Sequence, residues 1–202
     1  MAATTTLPEL TAAAVDALTG DRWAIPEAVR QVPARPGLYA IYGDAQAWRD
    51  LQLDPAPGTP LYVGKAERSL AARDLSGHFA TDPEVKPRTG SSTVRRSFAA
   101  LLRDALGLHA VPRNPSKPER FSNYALAEGG DGRLTAWMHA RLTLAVWPSP
   151  ARMPVPLGAV EAAVIVRFTP PINISNNPGR LPLLRHARAV MALEAASWDG
   201  SR

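Results

Sequence analysis

The sequence predicts a mixed α/β fold, on three observations. Three short segments, 37–43, 61–65 and 142–147, are rich in aromatic and branched residues and bounded by Pro and Gly, as strands are. Runs with apolar residues at helical spacing flank and separate them. The chain has 202 residues, 46% hydrophobic and 20% charged, which suits one globular domain with a real core plus appendages.

Taken in order, Pro8 to Leu18 reads as a short helix that stops at Gly20. With Trp23, Ile25 and Val29 it forms an arm, 1–35, expected to pack on the core and not to do chemistry. Pro33, Pro36 and Gly37 punctuate the entry to the first strand. The connection 43–60 is long and turn-rich, with room for a short helix over Ala45 to Leu51. The second strand is Leu61-Tyr62-Val63-Gly64, and a basic helix-like run, Ser69 to Phe79, follows it.

The chain then turns polar and basic, with Lys86, Arg88, Arg95, Arg96, Arg103 and Arg113 among its cations. Ser92 to Leu106 reads as an amphipathic helix. Val94, Phe98, Leu101 and Ala105 make one stripe, with Arg96 and Arg103 on the opposite face. The stretch Ala110 to Phe121 has no regular period. Residues of about 83–131 are therefore expected to be a basic helix-and-loop insertion in a core of 36–178. Gly129 to Gly132 is a turn cluster and Leu134 to Ala140 a short helix. Leu157 to about Phe168 is a strongly apolar helix, stopped by Pro170 and Pro171. The last helix runs Leu181 to Trp198, within a C-terminal segment 179–202.

A net charge of +5 and a pI near 10.1 fit a polyanionic partner. The absence of cysteine excludes disulfides, cysteine nucleophiles and thiolate metal sites. Four scattered histidines make no zinc site, and His109, His139 and His186 are assigned nothing. No apolar run is long enough to span a bilayer, and the N-terminus lacks the basic start and apolar block of a signal peptide. The expectation is a cytoplasmic protein with no membrane partner, and nothing indicates an oligomer.

Two strands, a loop and a helix bring Tyr39, Tyr62, Arg73 and His78 within reach of one another. Two phenols, a guanidinium and an imidazole make a poor core and a reasonable phosphate site. Each tyrosine alone also reads as a strand aromatic, and strand alternation puts Tyr42 on the opposite face from Tyr39. Glu161 lies in the middle of the face shared by Leu157, Val160, Val164, Ile165 and Phe168. An unpaired carboxylate there is expensive. It needs a cation, either a buried arginine such as Arg73 or a divalent metal. Arg95, Arg96 and Arg103 read either as a solvated helix face or as a surface that tracks phosphates without reading sequence.

These residues resemble the GIY-YIG nuclease family. Gly37-Leu38-Tyr39 stands for the first signature and Tyr62-Val63-Gly64 for the second. Arg73 and His78 fall where the family carries a helix arginine and a following histidine. The resemblance continues to Glu161 and to Pro170-Pro171-Ile172-Asn173, roughly the middle two thirds of the chain. Leu38 and Val63 replace isoleucine in the signatures and keep an apolar strand residue. The resemblance implies a small three-stranded, mainly antiparallel sheet flanked by helices. It implies metal-dependent hydrolysis of nucleic acid, DNA in the first instance, with Glu161 binding Mg²⁺ or Mn²⁺ and waters and substrate completing the shell. One signature tyrosine would orient or deprotonate the attacking water. Tyr39 is the expected base, with Tyr62 positioning the phosphate and Lys65 a rival base or phosphate contact. Arg73 would hold the scissile phosphate, and Asn173 the site's backbone or the phosphate. His78 stays open between phosphate contact, proton transfer and helix capping.

Overall fold

A computed structural model describes residues 5–79 and 89–200. Lys86 and Arg88, and the start of the expected insertion, lie outside those residues. The strands are β1 (Trp23–Ala24), β2 (Gly37–Gly43), β3 (Tyr62–Ala66), β4 (Ala110–Val111), β5 (Ala125–Leu126) and β6 (Leu142–Pro148). The main sheet has the order β1-β6-β2-β3, with every pair antiparallel. It therefore has four strands where the sequence predicted three. The extra strand, β1, pairs Trp23 with Leu144 and Ala24 with Thr143. Two residues are too few to carry an alternation of their own.

The helices are α1 (Leu7–Thr19), α2 (Ile25–Ala28), α3 (Ala45–Asp50), α4 (Thr93–Leu101), α5 (Gly130–Arg141), α6 (Leu157–Phe168) and α7 (Pro182–Ala196). A capping box of Thr6 and Glu9 starts α1. Asp44 caps α3 and Ser92 caps α4. The amphipathic helix is shorter than expected and ends before Arg103. The glycine cluster, expected as a turn, instead supplies the first residues of α5. The irregular stretch after Leu108 contains a two-stranded hairpin, Ala110 opposite Leu126 and Val111 opposite Ala125. Ala71–His78 winds as a wider π-helix, with hydrogen bonds five residues apart.

Strand alternation sorts β2 between two cores. Leu38, Ala40 and Tyr42 face α1 and α6, where they meet Leu10, Ala14, Val160 and Val164. Tyr39 and Ile41 face the larger cluster with Val94, Phe98, Leu134 and Met191. Each such aliphatic or aromatic side chain stabilises the fold by about 1.5–3 kcal/mol when fully buried. The strand that carries Tyr39 is thus anchored from both sides. Among the described residues no helix is long and apolar enough to cross a membrane.

Candidate active site

Tyr39 on β2 lies opposite Gly64 on β3, and Tyr62 is two residues from Gly64 on the same strand. The two phenols therefore form a diagonal cross-strand pair on one face, with ring centroids 6.1 Å apart. Both rings lean over Gly64. A Cβ there would lie 2.5 Å from the Tyr39 hydroxyl oxygen and 2.8 Å from Tyr62 Cε1. Gly64→Ala is expected to push the Tyr39 hydroxyl aside, at about 1–3 kcal/mol in stability. A chemical melt and a nuclease assay check this. A variant with wild-type stability and rate would show that the hydroxyl's position does not matter.

The π-helix carries Arg73 and His78. His78 is 3% exposed, with Nε2 2.8 Å from the Tyr39 hydroxyl and Nδ1 2.7 Å from Ser92 Oγ. Ser92 Oγ also accepts the Arg95 amide at 3.2 Å. The neutral imidazole donates through one ring nitrogen and accepts through the other, so Tyr39, His78 and Ser92 form one hydrogen-bonded chain. Burial, then the charges of Arg73 and Arg95, hold His78 down at about 3 against an ordinary 6.5.

That shift has a consequence for stability. The native state needs His78 neutral, whereas the unfolded chain takes up the proton below pH 6.5. The stability tied to His78 is therefore present above pH 6.5 and lost as pH falls toward 3, at about 1.4 kcal/mol per pH unit. Urea melts at pH 7 and pH 5 are expected to differ less for His78→Gln than for the wild type. An identical difference would contradict a buried neutral imidazole.

Tyr39, Tyr62, Lys65, Glu67, Arg73 and Glu161 line one open cleft of about 570 Å³. Tyr39 is fully enclosed, Tyr62 and Glu161 are half-buried, and Arg73 is exposed. Lys65 Nζ pairs with Glu67 at 2.8 Å, not with Glu161. That bond raises the Lys65 pKa. Lys65 therefore stays an ammonium, which makes it a poor rival base and a good phosphate contact.

Burial, with the charge of Glu67, raises the Glu161 pKa, and Lys65, Arg73 and the Lys65 backbone amide offset only part of that rise. The fold thus disfavours its charged form, a cost that a bound cation would relieve. Among the described residues no group of three or more His, Cys, Asp or Glu side chains is placed to hold a metal. The donor set fits a hard cation on one carboxylate, with its other oxygens drawn from water and substrate, as Mg²⁺ commonly takes them.

Asn173 is 5% exposed and acts on the backbone. Its Oδ1 accepts Val63 N–H and its Nδ2 donates to Val63 O, both at 2.8 Å. Ile172 N–H donates to Leu61 O at 3.0 Å, so the segment caps the free edge of β3. Asn177 Nδ2 in turn donates to the carbonyls of Pro170 and Asn173. Of the two roles expected for Asn173, the structure shows the backbone one.

The three expected phosphate-tracking arginines are placed differently. Arg95 is fully buried, and its guanidinium meets Asp131, Thr135, Thr89 and the His78 carbonyl. Arg96 is 7% exposed and bonds Gly90 O and Thr93 Oγ1. Arg103 is partly exposed and paired with Glu194 and Asp104. The helical wheel turned Arg96 and Arg103 away from the apolar stripe, but the 3₁₀ turn Thr89–Ser91 and α5 pack on α4 and enclose Arg96. Sequence reading missed Glu67, Ser92 and Asp131. Ser92 was legible as a helix cap, and Glu67 as a carboxylate two residues from Lys65.

A family model described as the GIY-YIG catalytic domain matches residues 52–189. That span includes Tyr62, Lys65, Arg73, His78, Glu161 and Asn173, while Tyr39 precedes it. No curated protein and no solved structure matches the chain.

Proposed function

Since the chain belongs to the GIY-YIG nuclease family, we propose that it is a metal-dependent endonuclease that hydrolyses DNA phosphodiester bonds with an activated water. The observation that carries this reading is the meeting of Glu161, Tyr39, Tyr62 and Arg73 around one cleft. A phenol has an ordinary pKa near 10, so it serves as a base only when its anion is favoured. For this role His78 acts as the Nε2–H tautomer: Nε2, 2.8 Å from the Tyr39 oxygen, donates to it and favours the phenolate, and Nδ1 accepts from the Ser92 hydroxyl. Tyr39 then takes the proton of the attacking water. Its enclosure keeps bulk water from competing for the oxygen.

Tyr62 and Lys65 position the phosphate. The Arg73 guanidinium holds two of its oxygens as negative charge builds. Glu161 would hold Mg²⁺ or Mn²⁺, with water and substrate oxygens as the other ligands. When bound, the cation stabilises the leaving oxygen and the charged transition state. Asn173 keeps the β3 backbone, and with it Tyr62 and Gly64, in place.

Incubation of supercoiled plasmid with the protein and Mg²⁺ tests the reading. Nicked and linear forms are expected, and none with EDTA. Plasmid that is bound but left intact would make the chain a non-catalytic nucleic-acid-binding module on the same scaffold.

A further inference from the structure

We propose that Arg96, Arg113 and Arg188 form a second phosphate-binding site, outside the cleft, where α4, α7 and the β4–β5 connection meet. Three arginines of or next to α4 carry charge into the fold, and they are compensated unequally. Arg95 has Asp131 at 3.0 Å and Arg103 has Glu194 at 3.3 Å. Arg96 is as enclosed as a core residue, yet the nearby charges that shift it include no described carboxylate.

Its surroundings are other cations. Arg96 Nη1 and Arg113 Nη1 donate to the same oxygen, Gly90 O, at 2.8 and 3.1 Å. Arg96 Nη2 reaches Thr93 Oγ1 at 3.2 Å, and its buried Nε has no partner among the described residues. Burial, then Arg188 and Arg113, bring the Arg96 pKa down to about 10, so it remains a cation at neutral pH. Tyr124 supplies no counter-charge. Its hydroxyl donates to Arg96 O at 2.6 Å, and burial raises its pKa, so it stays a neutral phenol.

A buried charge without a counter-ion is costly, and two more guanidiniums beside it add repulsion. An anion relieves both. Three planar forks with donors to spare suit a phosphate group, which offers several oxygens and more than one charge. Arg113 is exposed and Arg188 half-buried, so the cluster opens to solvent and accepts either a nucleic-acid backbone phosphate or a free phosphate ion.

The test uses Arg188→Gln, since among the described residues the Arg188 side chain forms no hydrogen bond or ion pair that the substitution would break. Arg113→Gln/Arg188→Gln is the second variant. One arm measures the affinity for a DNA duplex against salt, and the other the rise in Tm with inorganic phosphate. Neither arm contains divalent metal, so a chain that binds but never cuts still gives a result. The salt slope is expected to fall by about 1, with affinity down roughly three- to tenfold. The phosphate-induced rise in Tm is expected to disappear. Loss in the DNA arm alone makes the natural ligand a backbone phosphate, and loss in the phosphate arm alone makes it a free ion. Wild-type behaviour of both variants in both arms would overturn the site.

Discussion

Glu161→Gln is expected to lower the metal-dependent cleavage rate by about 10³-fold or more, on the scale of losing a main electrostatic contributor to a charged transition state. The amide fills the same space but cannot hold a hard cation. The same substitution is expected to raise the Tm in EDTA. The sign follows from burial. Glu161 has a folded-state pKa above its unfolded value. The stability tied to its protonated form is present below the unfolded pKa and lost as pH rises through the folded one. The carboxylate form is therefore held in the fold at a cost, which glutamine removes. Mg²⁺ is expected to raise the Tm of the wild type and not of the variant. Single-turnover cleavage and thermal melts with and without Mg²⁺ check both halves. An unchanged rate would remove Glu161 from the chemistry.

Tyr39→Phe is expected to lower kcat by about 10² to 10⁴, the range for loss of a positioned base. KM is expected to change little, because Tyr62, Lys65 and Arg73 still hold the phosphate. The ring stays packed between β3 and the π-helix, but His78 Nε2 loses its partner at 2.8 Å. A buried polar nitrogen left alone costs about 1–3 kcal/mol in stability. Lys65→Gln is expected to affect KM more than kcat, since its ammonium is tied to Glu67. Rates of both variants from pH 6 to 10 separate the candidates. A mild Tyr39→Phe beside a severe Lys65→Gln would make the lysine the base.

The sheet and the gathering of site residues were legible where local pattern and spacing act together. Tyr39 and Tyr62 sit on segments whose composition and Pro/Gly borders mark strands; the antiparallel sense came from the family resemblance, and the register, Tyr39 opposite Gly64, only from the folded chain. Glu161 stood out because a carboxylate among Val160, Val164 and Ile165 has no cheap structural reason. Partner-dependent features were not legible. The environment of Arg95 is decided by Asp131, which is 36 residues away. A helical wheel sees only its own helix, so it sent Arg96 to the face away from the core, where the fold in fact encloses it. The π-helix at Ala71–His78 breaks the 3.6-residue period that helix reading assumes. β1 is too short to have a period at all. The capping of Val63 by Asn173 joins residues 110 apart, and only the folded chain brings them together.

The most direct test of the account is Mn²⁺ titration of the wild type, Glu161→Gln and Tyr39→Phe, read by electron paramagnetic resonance of the free ion. A cation gripped by one half-buried carboxylate predicts a site present in the wild type and in Tyr39→Phe and absent from Glu161→Gln. Equal Mn²⁺ binding by the wild type and Glu161→Gln would contradict it.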